Sequence, residues 1–221
     1  MKKEGLTRQA YKTIKKMIIT NQLAPGQFVN EAQMQEHLGL GRTPVREAFL
    51  ALSRDQLVTI HPRRGIEISP ISPKKIHDLF EIRAIIEPDI LYKTMEQLDP
   101  EWLISMRSAF LATTSDDSDI LSTQEGIMNC VQLDDEFHQK LVTSLGNKYA
   151  DSLMDSFFDY LMMIRIAVTS SAQRYKESNL EHVGIIDAIL QGDRKGACEK
   201  LKEHIETSYT ATIQNYVNSN L

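Results

Sequence analysis

The chain has 221 residues, 42% of them hydrophobic, with 25 basic and 30 acidic side chains and a formal net charge of −5. That is enough apolar material for a sizeable core, while no stretch approaches the roughly 18 consecutive apolar residues of a membrane-spanning helix. The charge is unevenly placed, because residues 1–70 hold 11 of the 25 basic side chains and only 6 of the 30 acidic ones. A basic first third on an acidic body is the footprint expected of a nucleic-acid-binding head, which excludes neither a binding protein nor an enzyme for the remainder.

In chain order, Leu6, Ala10, Ile14, Met17 and Ile18 alternate with lysines at helical spacing. They predict an amphipathic first helix, not a secretory signal. The stretch "NEAQMQEHLGL" predicts a second, short helix with Asn30 as N-cap, Gln33 completing a capping box, Met34 and Leu38 facing inward, and Gly39 ending it.

A third helix follows in "GRTPVREAFLALSR", with Thr43 as N-cap and Pro44 as the first helical residue. Ala48, Phe49 and Leu52 form its buried stripe, which leaves Arg42, Thr43, Val45 and Arg46 around an exposed leading tip. Because a helix N-terminus is partially positive and ordinarily favours Asp or Glu, arginines there oppose the helix and point to an anionic partner. Helices two and three make a helix-turn-helix. "LVTIHPRRGIEIS" then alternates Val58 and Ile60 with Ile66 and Ile68 about a turn, predicting a β-hairpin wing with Arg63 and Arg64 at its tip.

Two Ser-Pro pairs in "ISPISPKK" mark the boundary between a first domain, 1–70, and a second, 71–221. Beyond it the pattern predicts helices over 73–97, 100–113, 121–145, 148–169, 174–191 and 194–217. The fold class is therefore mainly α, an N-terminal winged helix-turn-helix followed by an all-helical bundle.

Polar residues interrupt the apolar stripes of the bundle. Asp134 and His138 occupy successive inward places in the series Ile127, Val131, Leu141, Leu145, with Asp135 off that line. His182 shares a face with Ile185, Ile186 and Ile189, and His204 falls in the series Ala197, Leu201, Ser208, Ala211. Isolated buried charges and unpaired imidazoles are costly; a shared divalent ion resolves all four, as would a hydrogen-bonded polar core. One carboxylate and three imidazoles suit zinc first, with nickel, cobalt or manganese as alternatives. Arg83 interrupts Ile76, Leu79, Ile86 and Ile90, and Arg165 interrupts Met154, Phe158, Leu161 and Val168. A buried guanidinium needs an anion. Arg83 either pairs internally, with Glu87 or Asp134, or clamps a carboxylate ligand against the metal. Cys130 and Cys198 form no CxxC and read as structural thiols of a reduced, cytoplasmic protein.

The first 70 residues, through "LAPGQFVNEAQMQEHLGLGRTPVREAFLAL" and "LVTIHPRRGIEI", resemble the winged helix-turn-helix of the GntR family of bacterial transcription regulators. The remainder, through "EIRAIIEP", "DDEFHQKLVTSLGN", "EHVGIIDAILQGD" and "LKEHI", resembles the FCD effector domain of that family's FadR-like branch. The resemblance implies a metal held by Asp134, His138, His182 and His204 at the floor of a pocket for a small carboxylate effector, with Arg83 near that pocket. Together with the reading of the stripes, it makes Arg83 and Arg165 the candidate effector-binding residues. It further implies base contacts by Arg42 and Arg46, a phosphate contact by Thr43 beside Pro44, and a wing contact by Arg63, Arg64 and Gly65. Ala32 stands where the fatty-acyl-responsive member has an arginine, a departure from the pattern that carries no expectation of the same operator sequence. The expected protein is a homodimeric, ligand-responsive regulator of palindromic double-stranded operator DNA, more often a repressor, and not an enzyme. Two rivals are a repressor that senses the metal itself and a metal-dependent hydrolase fused to a DNA-binding head. The hydrolase lacks both an HExxH and an inward general base.

Overall fold

The computed structural model describes residues 5–114, 121, 123–168 and 170–219. Positions 122 and 169, which two of the expected helices include, lie outside the described residues. The chain forms two compact units: one comprises the residues up to Ser72 together with Asp159–Ala167, the other Pro73–Phe158 and the residues from Val168 onward.

In the first unit, α1 (Leu6–Ile19) buries Ala10, Ile14 and Ile18 against α3 (Arg42–Arg54), while Leu6 lies exposed and Met17 half-buried. Between them α2 (Glu31–Leu38) is capped by Asn30, whose side chain accepts from the amide of Ala32, so the bond expected within a capping box with Gln33 goes to the preceding residue. Met34 is buried and Leu38 half-buried, and Gly39 ends the helix in the left-handed region at φ 62°.

Helix α3 begins two residues earlier than the sequence suggests. Gly41 is its N-cap, Arg42 its first residue and Pro44 its third. The first four amides of a helix have no acceptor within it, so a proline fits anywhere in this turn, and Thr43 is left outside the cap. Val45, expected at the exposed tip, is instead fully buried, because it stands three, four and seven residues before Ala48, Phe49 and Leu52 and so continues their stripe. Arg42, Thr43 and Arg46 are exposed and Pro44 is half-buried.

The wing is β2 (Val58–His61) paired antiparallel with β3 (Gly65–Ile68), with Val58 opposite Ile68 and Ile60 opposite Ile66. A further strand, β1 (Phe28–Val29), pairs with the other edge of β3, giving the order β1-β3-β2. Two residues are too short for any period to announce a strand. As the middle strand, β3 buries both Ile66 and Ile68, whereas Ile60, on edge strand β2 towards the turn, is 41% exposed instead of inward. Gly65 has φ 101°, and a Cβ there would stand 3.0 Å from the carbonyl oxygen of Val29. The close approach of β1 thus requires a glycine at the base of the arginine-bearing turn.

The second unit contains α4 (Pro73–Thr94), α5 (Pro100–Ala112), α6 (Gln124–Thr143), the first half of α7 (Lys148–Ala167), α8 (Ala172–Leu190) and α9 (Arg194–Ser219). Helix α4 closes in a 3-10 turn, Met95–Gln97, where a continuous helix was expected. It packs along α9 and against α6; α8 packs against both α5 and α9. Their buried faces carry Ile76, Leu79 and Ile90 from α4, Val183, Ile185 and Ile186 from α8, and Leu201 and Ile205 from α9. Among the described residues no helix is long and apolar enough to cross a membrane, and neither Cys130 nor Cys198 is in a disulfide.

Candidate metal centre

Asp134 and His138 lie one turn apart on α6, so both project from the same face; α8 contributes His182 and α9 His204. All four are buried, and each offers a ligand atom within 4.8 Å of every other. Nε2 of His138 lies 3.3 Å from Nε2 of His204 and 3.2 Å from Nε2 of His182. The carboxylate of Asp134 closes the group, at 3.5 Å from His182 Nε2, 3.8 Å from His138 Nε2 and 4.0 Å from His204 Nε2.

Two carboxylates that the stripe pattern did not single out as metal-site residues hold the imidazoles from behind. His138 donates from Nδ1 to Glu87 Oε2 at 2.6 Å, and His204 donates from Nδ1 to Glu181 Oε2 at 2.7 Å. Burial opposes the charge on Glu87, but the Arg83 guanidinium and His138 outweigh it and hold the carboxyl at about 2. Glu181 likewise sits at about 2, burial again being outweighed, here by hydrogen bonds from Arg174 and His204. Ionised carboxylates only accept, which assigns the Nδ1 protons to the imidazoles. Burial pushes His138 below the usual histidine range against the pull of Glu87. Its neutral ring therefore turns an Nε2 lone pair toward the other ligand-type atoms.

This geometry fits a divalent ion. A tetrahedral site with bonds of about 2.0–2.1 Å sets its donors about 3.3–3.4 Å apart, which is the observed spacing of the imidazole nitrogens. His138 and His204, whose Nδ1 edges are both turned to carboxylates, face each other Nε2 to Nε2 at 3.3 Å, an arrangement that a cation between the two lone pairs would stabilise. His182 has another kind of support, since Phe110 stacks on it with ring centroids 4.4 Å apart and Phe137 meets it edge-on.

Arg83 makes the internal pair that was one of its two expected roles. It is fully buried, and its Nε donates to Glu87 Oε1 at 2.5 Å, one turn along α4. Phe80 and Phe158 place their rings 5.6 and 5.9 Å from its Cζ. Of the two expected roles the internal salt bridge is formed, and it reaches His138 through Glu87, while Nη1 and Nη2 of Arg83 are buried with no hydrogen-bond partner among the described residues. Arg165 is half-buried, not buried as expected, and belongs to the Asp159–Ala167 segment of the first unit; the four-residue cluster is complete without it. Asp135, expected off the inward line, is also buried, because α6 packs against α4, α5 and α8 and hides more than one narrow stripe.

In the first unit, the leading turns of α3 present Arg42, Thr43 and Arg46 to solvent beside half-buried Pro44. The wing turn exposes Arg63 and Arg64, with Gly65 half-buried at its base; Arg63 adopts φ 67°, and the Arg64 guanidinium lies over Phe28 at 5.3 Å.

A winged helix-turn-helix with cationic exposed tips, on a helical unit with a buried ligand-type cluster, defines a DNA-binding transcriptional regulator. Residues 78–207, more than half the chain, match the FCD domain, and residues 6–68 match the gntR family of bacterial regulatory proteins. The chain belongs to the GntR family, with an FCD domain as its helical unit. It is 24% identical over 202 residues to the HTH-type transcriptional regulator YdhC of Bacillus subtilis, spanning 89% of this chain and 86% of that one. The structure of E. coli McbR/YncC shares the fold with a TM-score of 0.79 at 16% identity, covering 96% of this chain and 99% of that one. The Zn2+-bound FCD domain of TM0439 aligns with a TM-score of 0.54 at 26% identity, covering 67% of this chain and 98% of that one. The curated relatives are transcriptional regulators and not enzymes, which sets aside the fused hydrolase.

Proposed function

We propose that the helical unit holds a divalent metal ion, zinc first, on Asp134, His138, His182 and His204, and that a small carboxylate effector bound there modulates operator binding. The observation that carries this reading is the convergence of three imidazole nitrogens and one carboxylate within 4.8 Å in a buried setting. The zinc-bound FCD domain of TM0439 supports the choice of ion. Bound there, the ion supplies Lewis-acid coordination for a carboxylate oxygen. The chain's own residues do the rest: Glu87 and Glu181 hold His138 and His204 in one tautomer, and Phe110 stacks on His182.

On the DNA side, a homodimer presents two α3 helices to a palindromic operator, with Arg42 and Arg46 reading base edges and Thr43 and Pro44 seating the helix against a phosphate. Arg63, Arg64 and Gly65 form the wing contact. The proposed direction of control is repression, modulated by the effector. An effector shifts that equilibrium only by its differential affinity for the DNA-bound and released states.

The test is operator affinity measured on metal-loaded protein against a set of small carboxylates, with metal content recorded in parallel. A carboxylate that changes affinity for the wild-type chain but not for His204→Ala supports the reading. Operator binding that tracks metal concentration without any organic ligand replaces it with direct metal sensing.

A further inference from the structure

Two histidines of the cluster are each backed by a glutamate, and each glutamate by an arginine. Arg83, Glu87 and His138 form one such series, inside the unit. Arg174, Glu181 and His204 form the other. Arg174 reaches Glu181 through two parallel bonds, Nη1 to Oε1 at 2.6 Å and Nη2 to Oε2 at 2.9 Å, and Glu181 accepts from His204 Nδ1. Arg174 Nη2 also donates to Ser208 Oγ at 3.3 Å, which ties α8 to α9 beside the ligand it supports.

The two series differ in burial. The side chain of Glu87 is wholly enclosed, whereas that of Glu181 is 29% exposed and lines a surface groove between α8 and α9 with Gly184, Lys200 and His204. Planar, bidentate pairing with arginine fixes the plane of a carboxylate, and a fixed carboxylate fixes the imidazole that donates to it. Such outer partners of metal-ligating histidines set the tautomer and the ring orientation.

We infer that Arg174 and Glu181 are positioning residues that preset His204 for the metal, and that this pair is the adjustable one of the two because solvent reaches it through the α8–α9 groove. The inference rests on the metal reading above. Glu181 holds the Nδ1 proton on His204 and leaves Nε2 directed at Asp134 and His138. Arg174 acts one step further back, by holding Glu181. Glu87 does the same for His138 without access to solvent, so its removal disturbs the fold as well as the ligand.

Zinc affinity of the full chain, measured by competition with a chromophoric chelator, tests this, together with the visible absorption of the cobalt(II)-loaded protein and the thermal midpoint of the metal-free protein. Glu181→Ala is expected to weaken zinc about 10–100-fold and to alter the cobalt spectrum. Glu181→Gln, whose amide oxygen still accepts from Nδ1, is expected to lose less. Arg174→Ala is expected to lie between Gln and wild type. Glu177→Ala, half-exposed at 3.8 Å from Arg174, is expected to match wild type. Should Glu181→Ala fail to fold, the ordering of Glu181→Gln and Arg174→Ala against wild type decides. Wild-type binding with unchanged affinity and spectrum in the Glu181 and Arg174 variants overturns the positioning role alone. Folded wild-type protein that binds neither zinc nor cobalt overturns the metal reading and this role with it.

Discussion

Glu87 on α4 and His138 on α6 meet at 2.6 Å with both side chains fully buried, and the same carboxylate takes the guanidinium of Arg83 on its other oxygen. One glutamate thus neutralises a buried cation and orients a ligand-type histidine. Removing it strands Arg83 in the core, which for a buried pair costs about 3–5 kcal/mol. Glu87→Ala is therefore expected to unfold at markedly lower urea than wild type, and Arg83→Ala to be less damaging, since Glu87 keeps its bond to His138. Equal midpoints for wild type and Glu87→Ala would contradict the assignment.

The depressed carboxyls predict an acid-side loss of stability. Glu87 and Glu181 are held down to about 2 in the folded chain, below the ordinary carboxyl value of 4.5. A carboxylate lowered by folding contributes its stability above its unfolded value and loses it as pH falls towards the folded one. The metal-free protein is thus expected to weaken progressively from about pH 4.5 down to about pH 2. Glu87→Gln and Glu181→Gln should each show a shallower slope over that window in chemical unfolding measured by circular dichroism.

Metal content is expected to follow the cluster residue by residue. His138→Ala, His182→Ala and His204→Ala should each lose the ion on dialysis, read by elemental analysis. His77→Ala is the control, because His77 is exposed on α4 and stands 4.0 Å from Glu81, outside the cluster. Coordination requires neutral imidazole, so the wild-type ion is expected to leave as pH falls below about 6.5, with the onset displaced downward by tight binding.

Much of this was legible in the sequence, and the parts that were not have physical reasons. The six bundle helices were readable because their apolar faces repeat at helical spacing, and the four cluster residues because each replaced an apolar residue on such a face. Glu87 was readable only as a neighbour of Arg83 four residues back. Its second bond, to His138, joins residues 51 apart and leaves no local trace. Glu181 and Arg174 stayed hidden because they flank the stripe of α8 instead of breaking it. The start of α3 slipped by two residues because Thr43 and Pro44 are good first-turn residues in either register, and Val45 was misplaced because the stripe of Ala48, Phe49 and Leu52 was not carried back one turn.

At the DNA end, Arg42→Ala and Arg46→Ala are each expected to weaken operator binding by about 1–3 kcal/mol and to relax preference at one base position. Arg63→Ala and Arg64→Ala should instead weaken binding to specific and random duplexes alike and lower the salt slope by about 1 each. Lys12→Ala, exposed on α1, should change little. Titrations by fluorescence anisotropy at several salt concentrations separate the three behaviours.

The central claim is that Asp134, His138, His182 and His204 form one metal site, and metal content of untagged protein purified without chelators tests it most directly. A single equivalent of a divalent ion per chain is expected, its loss by chelation lowering the thermal midpoint and its return restoring it. Protein that carries no stoichiometric ion, and whose midpoint zinc, nickel, cobalt and manganese all leave unchanged, would contradict the claim and make the four residues a hydrogen-bonded polar core.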